Sequence, residues 1–200
     1  MPDLILIIVA YFIGNISSGY LVGRLKNIDI RQYGSGNIGA TNVLRTLGVL
    51  PSLMTLVLDV GKGVVAVLLA ARYGSAPWIP ALAGVFAIIG HIWPVFLGFR
   101  GGRGVATAFG VVLALMPMVA LFIAVVWLFL VFVTRYISVG SIGAAASLPV
   151  GAWLLGESTQ MIIISALLGI LVIWRHRPNM QRLLAGEEFK IGQRVPAEKR

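Results

Sequence analysis

The first segment with residues suited to chemistry is the glycine-rich stretch from Gly34 to Asn42. A glycine loop that leads into a helix presents backbone N–H groups and the positive end of the helix dipole to an anion. Residues 40–47 are predicted to form that helix, which would carry Thr41 and Arg45 four positions apart on one face. We interpret the segment as a phosphate-binding loop, and a flexible connection between helices is the alternative. The candidate residues are Gly34, Ser35, Gly36, Asn37, Gly39, Thr41, Asn42 and Arg45.

A second segment of the same kind, Phe99–Thr107, again places glycines and arginines before an apolar run. An arginine offers a forked cationic donor that suits phosphate oxygens. This pattern predicts a second phosphate cradle, and the alternative is a tight turn with two arginines that set the membrane topology. The candidate residues are Gly101, Gly102, Arg103, Gly104 and Thr107.

Single polar residues inside apolar runs are further candidates. His91 is a candidate substrate ligand, although a lone histidine there is more often packed and hydrogen-bonded. Asp59 and Lys62 lie three positions apart and are expected to pair inside a helix bundle, because an unpaired ion in a membrane is costly.

The last candidates lie further along the chain. They are Arg135, Ser138, Ser141, His176 and Asn179. The two serines share a helix face, and hydroxyl bonds to helix carbonyls are their alternative role. His176 is poised to exchange a proton near neutral pH, and it neighbours Asn179 only if a helical turn survives Pro178.

Composition excludes most soluble classes. The 200 residues are 58% hydrophobic and 12% charged, whereas soluble domains are about 25% charged. The absence of cysteine excludes disulfides, thiolate metal sites and a thioester-forming nucleophile. With two histidines and seven acids, no metal site is predicted, and no cofactor is expected. The net charge of +9 does not indicate a nucleic-acid partner in so apolar a chain.

The pattern of apolar runs predicts an all-α integral membrane protein that crosses a bilayer several times. A spanning helix needs about 20 mostly apolar residues. One span is predicted in each of several runs, and the long run Gly104–Thr134 is divided into two short central helices at Met116-Pro117. The single-span runs are Leu4–Gly23, Pro51–Ala71, Tyr73–Phe99, Tyr136–Gly156 and Ser158–Trp174.

These runs give seven transmembrane helices in a single domain over residues 1–200, with residues 176–200 as a short basic tail. Cytoplasmic loops carry the excess of lysine and arginine. With the N-terminus outside and the C-terminus cytoplasmic, all of the sixteen basic residues except Arg72 lie on the cytoplasmic side or on its helices. Both glycine loops then face the cytoplasm.

The motifs resemble those of the bacterial acyl-phosphate-dependent glycerol-3-phosphate acyltransferase family, in order and over nearly the whole chain. The resemblance is carried by Gly34–Arg45, by Gly90–Phe96 with Gly101–Thr107, by Arg135–Ser138 and by Arg175–Asn179. The Asp59 and Lys62 pair also fits. The family usually has lysine where this chain has Arg103, and Glu188 stands where the family has a glutamate with a structural role.

The resemblance implies a multi-pass enzyme of the bacterial inner membrane with its active site on the cytoplasmic side. It would transfer a fatty acyl group from acyl phosphate to the 1-hydroxyl of glycerol 3-phosphate and release lysophosphatidic acid and phosphate. This is the first acylation of phospholipid synthesis, and acyl-CoA and acyl carrier protein are not donors. The expected partners are the two substrates and the lipid bilayer, and a monomeric state is left open.

The residues make chemical sense of such a reaction. The catalytic candidates are Ser35, Arg45, His176 and Asn179, and the other candidates named above would bind substrate. An acyl phosphate is already activated, so the enzyme needs to position substrates and stabilise charge. The general base is either His176 or a phosphate oxygen of the substrate. A transporter of a phosphorylated solute is the alternative function, although the polar motifs gather on one face and no inverted repeat is visible.

Overall fold

The computed structural model describes residues 2–193, and these residues form helices and no strands. The helices are α1 (Asp3–Asn15), α2 (Ser18–Leu25), α3 (Ala40–Leu47), α4 (Val49–Tyr73), α5 (Ile79–Ile92), α6 (Val105–Leu115), α7 (Pro117–Thr134), α8 (Ile137–Leu154), α9 (Thr159–Arg175) and α10 (Arg177–Leu184). Two short 3₁₀ turns, Ile30–Gln32 and Val95–Leu97, precede the two glycine loops. The all-helical prediction is confirmed for this part of the chain.

Within residues 2–193, five segments are long and apolar enough to cross a membrane, and the bent pair α9–α10 is a sixth if it counts as one span. The predicted break at Met116-Pro117 is present, because Pro117 takes the first helical position, where no N–H bond is required. The helix before it, α6, has 11 residues and is shorter than a full span. The protein is therefore a multi-pass integral membrane protein.

Two details differ from the sequence-based expectation. The predicted first span is broken, because α1 ends at Asn15 and α2 begins at Ser18. The predicted basic tail is helical in its first part, where α10 follows α9 after a bend of 53°. The last seven residues of that tail, 194–200, lie outside the described residues.

The chain divides into two compact units, a first unit of residues 2–111 with 192–193, and a second unit of residues 112–191. In the first unit α1, α4 and α5 pack against one another. Glycines permit the close approach of α1 and α5, since a Cβ at Gly14 or Gly90 would overlap the carbonyl of Ala87 or Tyr11. Small residues such as Ala10 and Ala83 fill this core.

In the second unit α8 packs between α7 and α9. A Cβ added at Gly169 would lie 2.5 Å from the carbonyl oxygen of Ala145, so glycine at this position allows α8 and α9 to approach closely. Large apolar side chains remain exposed along the helices, among them Phe132 on α7 and Ile170 on α9. Such an exposed apolar face suits contact with lipid tails.

Candidate active site

The first glycine loop is held together by the side chain of Asn42, which is fully buried. Its Oδ1 accepts the backbone N–H of Ser35 at 2.8 Å. Its Nδ2 donates to the carbonyls of Ile30 and Tyr33 at 3.2 and 3.1 Å. The sequence nominated Asn42 as a substrate ligand, whereas these contacts make it the internal brace of the loop.

Two glycines let the loop turn around that brace. Gly34 and Gly36 have φ values of 56° and 72°, a region that side chains rarely adopt. A Cβ at Gly34 would also overlap the Oδ1 atom of Asn42. The loop therefore needs glycine for its conformation and for its contact with the brace.

The hydroxyl of Ser35 stands out in this loop. Its Oγ is buried, and it makes no hydrogen bond to any other part of the chain within residues 2–193. A buried hydroxyl without a partner costs free energy. Ser35 Oγ is therefore placed to bind a group that comes from outside the chain.

The loop ends at α3, whose bounds are those predicted from the sequence. Gly39 precedes α3 in an extended conformation, and its carbonyl accepts the N–H of Asn42 at 3.0 Å. The first N–H groups of a helix have no acceptor inside that helix and can therefore bind an anion. Thr41 and Arg45 lie one turn apart, and Arg45 is largely buried. Asn37 lies beside Gly39, because its Nδ2 would be 3.0 Å from a Cβ there. These donors together suit an anion.

An ion pair supports the entrance to this loop. Arg31 donates to both carboxylate oxygens of Asp29, with the shortest distance 2.6 Å, and its guanidinium lies 4.9 Å from the centre of the Tyr20 ring. The hydrogen bonds from Arg31 hold the pKa of Asp29 below its ordinary value, and the same pairing raises the pKa of Arg31. Neither residue was nominated by the sequence.

The second glycine loop is bonded to the end of α5. The N–H groups of Gly101 and Gly102 donate to the carbonyls of Ile92 and His91, each at 3.1 Å. Gly104 has a φ of 84° and leads into α6. Arg103 is half-buried in this loop, and Thr107 is fully buried in the first turn of α6. The Thr107 hydroxyl makes no hydrogen bond with the rest of the described chain.

Apolar packing brings the two glycine loops to the same end of the first unit. Ile38 of the first loop packs with Val22 and Val43 in one buried cluster. Leu97, which lies three residues before Arg100 of the second glycine loop, packs against the same cluster. The two glycine loops therefore lie at the same end of this unit.

A buried group beneath the loops, the Lys62 cluster, consists of Ser18, Asp59, Lys62 and His91. Lys62 Nζ lies 2.8 Å from Asp59 Oδ1, which confirms the predicted i, i+3 pair. The same Nζ lies 2.8 Å from His91 Nδ1. The Ser18 hydroxyl donates to Asp59 Oδ1 at 2.9 Å. His91, nominated as a substrate ligand, is thus engaged by Lys62 inside the helix bundle.

In the second unit His176 and Asn179 meet at the corner between α9 and α10, and both are 1% exposed. The helical turn survives Pro178, because the N–H of Asn179 donates to the His176 carbonyl at 2.9 Å. His176 Nδ1 lies 2.7 Å from the Val172 carbonyl, which can only accept, so Nδ1 carries the proton. In the neutral ring Nε2 is then the acceptor.

Glu188 fixes this corner from the following segment. Its Oε1 accepts from Asn179 Nδ2 and its Oε2 accepts from Arg182 Nε, both at 2.7 Å. Asn179 Oδ1 and Arg182 Nη2 are buried and make no hydrogen bond to other described residues. The sequence did not nominate Arg182, although its position one turn after Asn179 on α10 is the signal that could have identified it.

The remaining candidates lie near the start of α8, also in the second unit. Arg135 directly follows α7 with a φ of 63°, and its carbonyl accepts the N–H of Ile191 at 2.8 Å. Ser138 has a buried hydroxyl without a partner among residues 2–193. Ser141 instead donates to the Ile137 carbonyl at 2.9 Å and accepts from Trp127 Nε1. Ser141 therefore adopts the helix-bonded alternative, and Ser138 does not.

Unpartnered buried polar atoms thus fall on four residues that the sequence nominated, Ser35, Thr107, Ser138 and Asn179. The first two belong to the first unit and the other two to the second. Among the described residues no group of three histidine or acidic side chains could hold a metal ion. The arrangement supplies cationic and neutral donors, which suit phosphate and acyl groups.

Comparisons with known proteins give one consistent result. The family model described as glycerol-3-phosphate acyltransferase matches residues 4–186. A glycerol-3-phosphate acyltransferase of Parasynechococcus marenigrum is 46% identical over 98% of this chain and 92% of its own length. One from Desulforamulus reducens is 47% identical over 97% and 98%.

Solved structures agree in fold. PlsY, an integral membrane glycerol 3-phosphate acyltransferase, has been crystallised in a glycerol 3-phosphate form that is 41% identical to this chain, with a TM-score of 0.91 and 96% of each chain covered. Its lysophosphatidic acid form gives a TM-score of 0.88 over 96% of this chain and 97% of that one.

Proposed function

This chain belongs to the glycerol-3-phosphate acyltransferase family and acylates glycerol 3-phosphate, and we propose that its acyl donor is a fatty acyl phosphate. The transporter alternative gives way to this enzyme class. The carrying observation is the buried, unpartnered hydroxyl of Ser35 on a braced glycine loop that leads to α3 and Arg45. That loop offers anion-binding groups and no nucleophile-activating base bonded to Ser35, which suits a donor that arrives activated.

In the proposed reaction the 1-hydroxyl oxygen of glycerol 3-phosphate attacks the acyl carbonyl carbon. The C–O bond to the donor phosphate breaks, and the phosphate leaves with that electron pair. The hydroxyl proton passes to a base, and the products are lysophosphatidic acid and inorganic phosphate. No enzyme-bound acyl group forms, so positioning and charge stabilisation supply the catalysis.

In the first unit the anion-binding residues are proposed to hold phosphate and to stabilise the leaving group. Ser35 acts in the first loop, Arg45 acts on the helix α3 that follows it, and Arg103 acts in the second loop. The further proposed substrate contacts are Gly34, Gly36, Asn37, Gly39, Thr41, Gly101, Gly102, Gly104 and Thr107. Arginine at position 103 provides a planar fork where lysine would provide a point charge.

In the second unit His176 and Asn179 are proposed to orient glycerol 3-phosphate, with Arg135 and Ser138 as further contacts. The neutral His176 tautomer has an acceptor at Nε2, so His176 is the proposed base. A phosphate oxygen of the substrate is the alternative base. Replacement of His176 by alanine is expected to lower kcat, and a kcat equal to that of the parent protein would favour the substrate oxygen.

The donor is tested with purified protein, radiolabelled glycerol 3-phosphate and three palmitoyl donors: palmitoyl phosphate, palmitoyl-CoA and palmitoyl-acyl carrier protein. Labelled lysophosphatidic acid together with released phosphate is expected from palmitoyl phosphate alone. Product from either thioester, with none from palmitoyl phosphate, would overturn the proposed donor and leave family membership intact.

The proposed topology has seven spans in a single domain of the bacterial inner membrane, with the N-terminus outside and the active site cytoplasmic. A monomer is the proposed functional state. The chain lacks cysteine, so single cysteines report sidedness without other changes. Met118→Cys is expected to react with an impermeant maleimide added outside, and Leu184→Cys only after the membrane is opened. Both residues are well exposed, and labelling of both from one side would contradict this topology.

A further inference from the structure

We propose that Lys62 is a positioning residue for acyl transfer, which acts through His91 and the α1–α2 break to set the geometry of both glycine loops. The inference rests on the proposed function and names residues that set the geometry of its site without touching substrate. Lys62 lies in the middle of α4, and its side chain is 4% exposed, so it is not itself placed to bind a substrate phosphate.

All three protons of the Lys62 ammonium have acceptors. Its Nζ lies 2.8 Å from each of Asp59 Oδ1, the Ile16 carbonyl and His91 Nδ1. An ammonium has three donors and no acceptor, so this set is complete. The three acceptors belong to α4, to the break between α1 and α2, and to the end of α5. Lys62 therefore ties three segments together at one atom.

The break between α1 and α2 contains Ile16, whose carbonyl accepts a hydrogen bond from Lys62. Interrupting a helix in a membrane frees carbonyls that need new donors. Lys62 supplies one for Ile16, and the Ser17 hydroxyl donates to the Asn15 carbonyl at 3.2 Å. Asn15 Oδ1 in turn accepts the N–H of Val95, ahead of the second loop. The break is thus bonded into the structure on both sides.

The connection to the second glycine loop runs through His91. Because the ammonium can only donate, His91 Nδ1 accepts, and the neutral ring carries its proton on Nε2. That edge of the ring faces Gly102, since a Cβ at Gly102 would overlap the Nε2 atom. The His91 carbonyl also accepts the Gly102 N–H. The next residue, Arg103, is a proposed phosphate ligand, so the orientation of the His91 ring bears directly on it.

The connection to the first glycine loop runs through the start of α2. Ser18 donates to Asp59, and the adjacent Gly19 lies against the Ile38 carbonyl, which a Cβ at Gly19 would overlap. Ile38 belongs to the loop that holds Ser35. Asp59 therefore fixes α2 at the point where α2 supports that loop.

A purely stabilising ion pair is the competing explanation. Buried ion pairs are weak evidence for stability, because apolar replacements are often neutral or better. The two explanations differ in one measurable respect. A positioning role predicts that substitutions in the Lys62 cluster reduce catalysis in protein that remains folded, and that His91 and Gly102 depend on each other.

The decisive experiment is a double-mutant cycle with His91→Asn and Gly102→Ala, assayed for kcat/KM with whichever acyl donor the parent protein uses. The asparagine retains an acceptor for Lys62 and removes the ring atoms that face Gly102. Gly102→Ala alone is expected to lower kcat/KM by about 100-fold, as displaced substrate groups do. In the His91→Asn background the same change is expected to cost less than about tenfold, since neighbouring positions are not additive.

Equal losses from Gly102→Ala in both backgrounds would overturn the coupling to the second loop.

Lys62→Met supplies the second test, with Arg72→Met on an exposed part of the same helix as the matched control. Lys62→Met is expected to lower kcat/KM in the folded, monodisperse fraction, while Arg72→Met leaves it unchanged. Parental kcat/KM in folded Lys62→Met would overturn the role of Lys62. If Lys62→Met does not fold, Asp59→Leu/Lys62→Met, which removes both charges, takes its place with the same criterion. If the parent protein is inactive with palmitoyl phosphate but active with a thioester, the proposed donor is wrong. The kcat/KM of each variant relative to the parent protein can then still be measured with that thioester.

Discussion

Glu188 accepts a hydrogen bond from Asn179 Nδ2 at 2.7 Å and so joins the segment after α10 to the corner that holds His176. Its other oxygen accepts from Arg182 at the same distance. A single buried carboxylate therefore accepts hydrogen bonds from both the Asn179 amide and the Arg182 guanidinium. This relationship makes the segment after α10 a structural part of the second unit.

Glu188→Ala is expected to destabilise the protein by about 1–3 kcal/mol, because it leaves the buried Nδ2 of Asn179 without its acceptor and removes the ion pair to the partly exposed Arg182. Glu187→Ala is the matched control, since Glu187 is exposed beside it. Thermal unfolding in detergent measures both. Equal melting temperatures for the two variants would show that the Glu188 contacts do not hold the corner.

Ser35→Ala is expected to separate activity from stability. The Ser35 hydroxyl makes no hydrogen bond within the described chain, so its removal should leave the melting temperature unchanged or higher. Loss of a substrate contact should lower kcat/KM by about tenfold or more, which corresponds to a hydrogen bond to a charged group. Ser147→Ala, which removes a hydroxyl bonded to a helix carbonyl, is the control. Unchanged kcat/KM in Ser35→Ala would remove Ser35 from the proposed site.

Asn42→Ala is expected to lower both activity and stability, in contrast to Ser35→Ala. It removes the acceptor for Ser35 and the donor to two carbonyls, so the loop loses its brace. A displaced loop should reduce kcat/KM by about 100-fold. Gln32→Ala, at an exposed position shortly before the loop, should behave as the parent protein. A fall in activity without any fall in melting temperature would indicate that Asn42 contacts substrate instead.

Arg45→Ala is expected to raise KM for a phosphorylated substrate or to abolish activity. Arg45 is a largely buried cation on α3, the helix that follows the first glycine loop. Arg45→Lys should recover only part of the activity, since lysine lacks the planar fork. Arg24→Ala, on an exposed part of α2, serves as the control. Kinetics of Arg45→Ala equal to those of the control would reduce Arg45 to a topology anchor.

The sequence by itself determined the features that depend on neighbouring residues. Hydropathy and length gave the membrane-spanning segments, proline placed the break before α7, and glycine preceding a helical pattern located α3 at Ala40–Leu47. Each of these depends on local backbone preference or on the cost of placing charge in lipid. The nominated serines and threonine with unpartnered hydroxyls also came from these local patterns.

Only the tertiary structure decided which polar residues serve the chain itself. Asparagine and histidine are residue types that can bind a substrate. In this structure, however, Asn42 Oδ1 accepts the N–H of Ser35, and His91 Nδ1 accepts from Lys62. Lys62 meets the Ile16 carbonyl across 46 positions, and that carbonyl is available only because the first span is broken. Such bonds depend on how helices pack and where one is interrupted, and no periodicity in the sequence records the distance between residues so far apart.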